Sequence, residues 1–162
     1  MRYPYAIGLP VAAVTLVVDQ LTKHWILERL AGAPWQFQSL HILGVLNFAL
    51  AMNRGVTFGM FDNNGPANAV IFGGLAVAVA AGLLIWLRKA ERVLVAVAIG
   101  LIVGGAIGNF VDRVRIGAVV DFIDAHWGTW HWYVFNIADS AIDTGVALLL
   151  LDSLLASRKS PT

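Results

Sequence analysis

Four long, mostly apolar runs of residues divide the chain, and each is long enough to form a helix that crosses a membrane. The runs cover about residues 5–26, 69–87, 93–111 and 137–155. A hydrocarbon core of roughly 30 Å needs about 20 helical residues at about 1.5 Å each. The pattern predicts an all-α membrane protein whose four transmembrane helices form a single polytopic domain over residues 1–162.

Two polar stretches interrupt this pattern, at residues 31–64 and 114–135. Parts of them, such as residues 48–53, alternate with a period near two, which is typical of short β-strands. Gly128-Thr129 is suited to the two-residue turn of a hairpin whose return strand would cover residues 130–135. We expect these stretches to form a small extramembrane β-cradle or hairpin on the outer face of the helices.

The composition agrees with an integral membrane protein and excludes other classes. Hydrophobic residues make up 59% and charged residues 13% of the chain, against about 45–50% and about 25% in soluble proteins. The net charge is +1 and the basic residues are scattered, so binding to nucleic acid is not indicated. The absence of cysteine excludes disulfides, thiolate metal sites and a cysteine nucleophile.

The orientation of the helices follows from the basic residues. The first run could instead be a cleaved secretory signal, but it is long for one and ends in charged residues rather than a cleavage site. The short loop at residues 88–92 is rich in Lys and Arg, which is typical of the cytoplasmic side. Arg2 and Arg158-Lys159 would lie on the same side, so both termini are expected in the cytoplasm.

Glycine recurs at every fourth position in the third run, at Gly100, Gly104 and Gly108, with Gly105 beside them. A stripe of small residues lets another helix approach closely. We interpret it as a packing seam without chemistry.

Carboxylates at Asp121 and Asp139 flank the second polar stretch, one after the third run and the other at the start of the fourth. If the stretch folds back as a hairpin, they can meet at the membrane surface. Two carboxylates in a low-dielectric site share one proton. The ionised member can activate a water while the protonated one polarises a peptide carbonyl, which is aspartic-type peptide hydrolysis.

Structural interpretations are also open. Asn136 and Asp139 have the spacing of a helix N-cap with an acid at the third helical position, and spacing alone favours this interpretation. Asp19 and Lys23 share a helical face, either as an ion pair that anchors the helix end at the interface or as support for a site. Asn53-Arg54-Gly55 has the composition of a plain turn.

No metal or organic cofactor is expected. The four histidines lack the spacing of metal ligands and are more often residues of the membrane interface. Asp124, between the two candidate carboxylates, could be a solvated loop residue.

A different class is a small proton-coupled transporter or channel with an intramembrane relay of aspartates. Its members would be Asp19, Asp112, Asp139 and Asp143. A relay needs carboxylates at several depths, whereas most of these lie near one interface. A third class, a scaffold for packing or assembly, would explain the glycine stripe but would give the polar stretches no function.

Five short blocks resemble, in the same order, those of the bacterial lipoprotein signal peptidase family, also called signal peptidase II. They are DQLTK at 19–23, NRGVTFG at 53–59, GNFVDR at 108–113, VVDFI at 119–123 and FNIADS at 135–140. Each block alone is a weak signal, but five in order on a four-span chain of this length are specific. The departures are slight, since Val56 and Thr57 stand where the family commonly has small apolar residues.

The resemblance implies an aspartic endopeptidase of the bacterial inner membrane, sensitive to globomycin and without a cofactor. It would cut membrane-inserted prolipoproteins just before the diacylglyceryl-modified cysteine, near the periplasmic face, and is expected to act as a monomer in the phospholipid bilayer. Asp121 and Asp139 match the catalytic pair. Positions that support the site or contact substrate are matched by Asp19, Lys23, Asn53, Asn109, Arg113 and Asn136.

Overall fold

The computed structural model describes residues 4–32, 39–55 and 66–157, with the backbone alone at 66–69. Within them the helices are α1 (Tyr5–Leu30), α2 (Pro66–Leu87), α3 (Val93–Ile116) and α4 (Ile137–Ser157). The strands are β1 (Ser39–Leu43), β2 (Leu46–Asn53), β3 (Val119–Trp127) and β4 (Trp130–His131). All four helices are long and apolar enough to cross a membrane, so the predicted fold class is confirmed. The basic residues at both termini and the departures at Val56 and Thr57 lie outside the described residues.

Helix α3 is the central helix, and its glycines let two neighbours approach at backbone contact distance. A Cβ atom on Gly100 or Gly104 would lie 2.5 Å from a backbone oxygen of α1, and one on Gly105 would lie 2.5 Å from the carbonyl oxygen of Ala138 in α4. Larger residues would hold the helices apart. The packing seam predicted from the glycine spacing is therefore confirmed.

The end of α3 determines where the sheet begins. The helix continues to Ile116, past the uncharged run, and so carries Asp112 and Arg113 in its last turns. It ends at Gly117, which has φ of 79° and donates its N–H to the carbonyl of Arg113 at 3.1 Å. Glycine suits this left-handed conformation because it has no Cβ. Strand β3 then starts two residues later, and its third residue is Asp121.

The four strands form one antiparallel sheet in the order β1-β2-β3-β4. Ala51 of β2 lies opposite Asp121 of β3, and this register brings Asn53 beside that carboxylate. The hairpin turn at Gly128-Thr129 is confirmed, with Trp127 opposite Trp130 and a φ of 62° at Gly128. The return strand is shorter than predicted, because regular pairing stops at His131 and the chain pairs with β3 again only at Phe135, opposite Ile123.

The sheet packs against the last turns of α1. Ile26 and Leu30 of α1 are buried in one cluster with Phe122 of β3. Phe48 of β2 packs edge-on against both Phe122 and Trp25. This apolar contact holds β3, and with it Asp121, against the helices.

We expect Gly104→Ala to destabilise the protein by about 1–3 kcal/mol, the usual range for an overpacked core. The added Cβ would lie 2.5 Å from the carbonyl oxygen of Ala12 and 2.7 Å from the Cβ of Thr15. Gly82→Ala in α2 is the matched control, because its Cβ would meet no described atom within 4 Å and alanine favours helix. Denaturant unfolding in detergent measures both variants, and equal stability would contradict the close contact.

Candidate active site

The structure brings Asp121 and Asp139 together around Asn136. Asp121 accepts hydrogen bonds from the side-chain amides of Asn53 at 3.0 Å and Asn136 at 2.6 Å. Asp139 accepts one from the Asn109 amide at 2.8 Å and one from the backbone N–H of Asn136 at 3.2 Å. Because Asn136 donates to both carboxylates, the two acids that are 18 positions apart in sequence belong to one site.

Asn136 also caps α4. Its Oδ1 accepts a hydrogen bond from the backbone N–H of Asp139 at 2.8 Å, while the Asp139 carboxylate accepts from the backbone N–H of Asn136. This reciprocal pair is a capping box, which satisfies backbone donors that a helix start leaves unpaired. The capping interpretation is therefore confirmed, and the same two residues form the centre of the site.

Lys23 supports the site from α1. Its ammonium group lies 2.9 Å from Asp19, 2.8 Å from Asp112 and 2.9 Å from Oδ1 of Asn109. The side chain is 3% exposed and that of Asp19 is 0% exposed, so this ion pair does not anchor a helix end in water. Since an ammonium group only donates and a carboxylate only accepts, Lys23 fixes the Asn109 amide with its NH₂ towards Asp139.

Asp19 connects α1 to the start of α4. One carboxylate oxygen accepts the backbone N–H of Ala138 at 2.9 Å, and the other contacts Lys23. The positive end of the α4 dipole favours a carboxylate at this position. Asp19 therefore fixes the turn that carries Asp139.

Sequence analysis missed two residues of this network, Asp112 and Gln20. Asp112 accepts the backbone N–H of Val120, the residue before Asp121, at 3.2 Å, and also contacts Lys23. The Gln20 amide donates to Asp112 at 2.9 Å and to Asp19 at 3.2 Å. Gln20 lies in the block DQLTK and Asp112 in the block GNFVDR. Membership of these blocks was the one feature of the sequence that could have identified them as site residues.

Asn53 and Arg113 connect the segment after β2 to α3. Oδ1 of Asn53 accepts the backbone N–H of Gly55 at 3.1 Å, so the turn predicted at Asn53-Arg54-Gly55 is confirmed and also aims the amide at Asp121. Arg113 donates to the carbonyls of Asn109 at 3.3 Å and Gly55 at 3.5 Å. All eight positions proposed from sequence thus lie in or beside one site.

Asp124 lies outside this site. It is not a solvated loop residue, as the sequence had suggested, but a buried residue of β3 that is 7% exposed. It lies 2.8 Å from Nδ1 of His131 and accepts the amide of Asn47 at 3.2 Å. Side chains three positions apart on a strand point to opposite faces, so Asp124 faces away from Asp121.

A pocket of about 220 Å³ opens beside Asp139. Its lining is mostly polar, and Asp121, which is 2% exposed, lies next to it in contact with Asn53. The lining residues are Asn53, Asn109, Arg113, Val119, Tyr133, Asp139, Ile142 and Asp143. The pocket offers hydrogen-bond donors and acceptors to a peptide next to a carboxylate.

The environment of Asp121 favours its protonated form. Burial raises the pKa of Asp121 from its ordinary 3.8 to about 7, and the carboxylate of Asp139 contributes in the same direction. The hydrogen bonds from Asn53 and Asn136 oppose this rise in pKa. A carboxyl group that holds a proton near neutral pH can act as an acid, which is the property required of one member of a catalytic pair.

Comparisons with known proteins agree with this architecture. The model of the family described as signal peptidase (SPase) II matches residues 11–155. A lipoprotein signal peptidase of Caulobacter vibrioides is 48% identical over 151 residues, covering 93% of this chain and 88% of that protein. One of Methylorubrum extorquens is 40% identical over 158 residues, covering 96% and 90%. A solved bacterial membrane enzyme superposes with a TM-score of 0.80 at 29% identity, covering 96% of this chain and 92% of that one.

The fold and these likenesses define a membrane enzyme of the peptidase class. Because the family model spans most of the chain and the relatives are similar over nearly their whole length, the chain belongs to the signal peptidase II family. Its function is that of a lipoprotein signal peptidase, a multi-pass bacterial membrane enzyme that processes prolipoproteins. The alternative of a transporter or channel is not supported.

We expect Asp112→Leu to reduce both stability and cleavage strongly, and Asp112→Asn to reduce them less. Leucine leaves Lys23 paired with Asp19. It removes, however, the acceptor of the Val120 N–H and of the Gln20 amide. Each buried donor left unsatisfied costs about 1–3 kcal/mol, while asparagine keeps an oxygen that can accept the Val120 N–H.

Asp152→Asn is the matched control, because Asp152 pairs with Arg92 at 3.0 Å where both side chains are partly exposed, and such pairs contribute about 0–1 kcal/mol. Thermal unfolding and prolipoprotein cleavage measure the effects. Wild-type behaviour of Asp112→Leu would contradict the assigned role.

Proposed function

We propose that this enzyme is an aspartic endopeptidase with Asp121 and Asp139 as its catalytic pair, and that it cuts just before a diacylglyceryl-modified cysteine. The observation that carries the proposal is the contact of Asn136 with both carboxylates, at 2.6 Å and 3.2 Å. The two carboxylates also interact directly, because the charge of Asp139 raises the pKa of Asp121. Two carboxylates that interact in a low-dielectric site hold one proton between them. The pair can therefore supply an acid and a base together.

The two carboxyl groups take different roles. Asp139 lines the pocket and acts as the base, removing a proton from a water whose oxygen attacks the scissile carbonyl carbon. Asp121, whose pKa is raised to about 7, is the protonated member and donates a hydrogen bond to the carbonyl oxygen. Proton transfer to the leaving nitrogen then breaks the C–N bond. The products are a carboxyl end on the signal peptide and a free amine on the cysteine.

The neighbouring amides hold the pair without adding charge. Asn109, fixed by Lys23, holds Asp139, and Asn53 and Asn136 hold Asp121. Arg113 lines the same pocket and can donate to a substrate carbonyl. Preorganised donors of this kind need little rearrangement during the reaction, which favours catalysis.

The helices support a periplasmic location for the site. Arg92 in the basic loop between α2 and α3 lies 3.0 Å from Asp152, near the opposite end of α4 from Asp139. By the positive-inside rule the basic end is cytoplasmic, so both termini face the cytoplasm and the site lies near the outer face of the inner membrane.

We expect Asp121→Asn and Asp139→Asn each to lower kcat/KM by about 10²–10⁴-fold, the range that acid–base catalysis contributes. Asparagine keeps the shape of the side chain and removes the transferable proton or the base. A gel-shift assay on a diacylglyceryl-modified prolipoprotein measures cleavage, and Asp152→Asn should stay active as the matched control. If either site variant is inserted, folded and fully active, the catalytic pair is wrong.

We expect cleavage to decline as the pH rises through about 7, because the Asp121 carboxyl then loses the proton that polarises the carbonyl. The stability should change with pH in the same direction. The pKa of Asp121 is about 7 in the folded protein and 3.8 ordinarily, so between these two pH values the folded state binds more protons than the unfolded state. The free energy of unfolding therefore falls as the pH rises from about 4 to about 7.

The effect of Asp121 on the pH dependence of stability can be measured with the variant Asp121→Asn, whose side chain does not titrate. Between about pH 4 and about pH 7 its unfolding free energy should rise relative to that of the wild type, as the linkage relation requires. The measurement is denaturant unfolding of both proteins across this range. A constant difference would show that the Asp121 pKa is not raised by folding.

A further inference from the structure

Asp143 is an intramembrane carboxylate that the proposed mechanism does not use. It lies in α4 four positions after Asp139, so the two side chains share a helical face. It is exposed and lines the pocket beside Asp139. Among the residues that the structure describes, no side chain forms an ion pair or a hydrogen bond with it.

Three other charged side chains in the helices differ from Asp143, because they are buried and paired. Asp19, Lys23 and Asp112 are buried and paired with one another at 2.8–2.9 Å. An ionisable side chain inside a membrane is expensive and usually marks a functional site. Asp143 has no such partner within the described protein but faces the pocket, so its partner is expected to come from the bound substrate.

The position of Asp143 indicates which part of the substrate it meets. It lies one helical turn, about 5.4 Å, from Asp139, on the side of α4 that leads towards Asp152 and the basic loop. The signal-peptide part of a membrane-inserted substrate lies on that side of the scissile bond. An extended peptide advances about 3.3 Å per residue, so Asp143 lies level with the second residue before the bond.

We propose that Asp143 is a specificity-determining residue, which accepts a hydrogen bond from a hydroxyl side chain at the second substrate residue before the scissile bond. The proposal rests on the proposed function, which sets the orientation of the substrate. A carboxylate accepts hydrogen bonds and cannot donate them. It therefore favours Ser or Thr at this position, gains nothing from Ala and repels Asp.

The test uses three lipidated prolipoproteins that differ only at this position, with Ser, Ala or Asp. We expect the wild-type enzyme to prefer Ser to Ala by roughly tenfold in kcat/KM, mainly through KM, because hydrogen bonds to charged groups are stronger than neutral ones. Asp143→Leu should abolish the preference, so that its ratio of kcat/KM for Ser to kcat/KM for Ala falls to about one. Asp143→Asn, which keeps an acceptor, should retain part of the preference and cleave the Asp substrate better.

Two controls separate this proposal from the catalytic one. Asp152→Asn, in the same helix, should keep the wild-type ratio of Ser to Ala. Asp139→Asn should fail on all three substrates, and its activity would overturn the catalytic pair alone. An unchanged Ser to Ala ratio in Asp143→Leu would overturn the role of Asp143. Equal loss of activity on Ser and Ala substrates would do the same, since it would indicate a structural role.

Discussion

The ammonium group of Lys23 is the interaction on which the rest of the site depends. It lies between Asp19 and Asp112, which would otherwise be adjacent buried anions. A buried charge in a low-dielectric region is tolerated only when it is paired and hydrogen-bonded. Through these partners Lys23 links three elements, because Asp19 holds the first turn of α4 and Asp112 holds the backbone before Asp121.

Asparagine side chains hold the two carboxylates of the site with hydrogen bonds that add no charge. The site must hold two carboxylates firmly, yet an added cation at each would favour full ionisation of both. Asn109 accepts from Lys23 and donates to Asp139, so it transmits the position of the lysine without its charge. Asn53 and Asn136 hold Asp121 with uncharged amides, so the pKa of Asp121 can stay near 7.

The sequence predicted the elements that depend on local pattern. Hydrophobic runs marked the four helices, and glycines marked the seam and the turn at Gly128-Thr129. The uncharged run bounded the third span at residue 111, whereas α3 continues to Ile116, because the pairing of Asp112 with Lys23 of α1 lets a charged residue stay buried in the helix. The role of Gln20 and the burial of Asp124 were also missed, since each depends on partners that are distant in sequence.

Helix capping had stood as an alternative to a role in the site for Asp139, but Asn136, which forms the cap with Asp139, also contacts Asp121. The capping box sets the direction of the Asp139 carboxylate, because one of its oxygens accepts the backbone N–H of Asn136. The other oxygen accepts the amide of Asn109, and the side chain of Asn136 reaches Asp121. The cap that starts α4 therefore orients Asp139 and places the Asn136 amide against Asp121. Folding of this helix end contributes directly to the preorganisation of the site, which is present without a substrate.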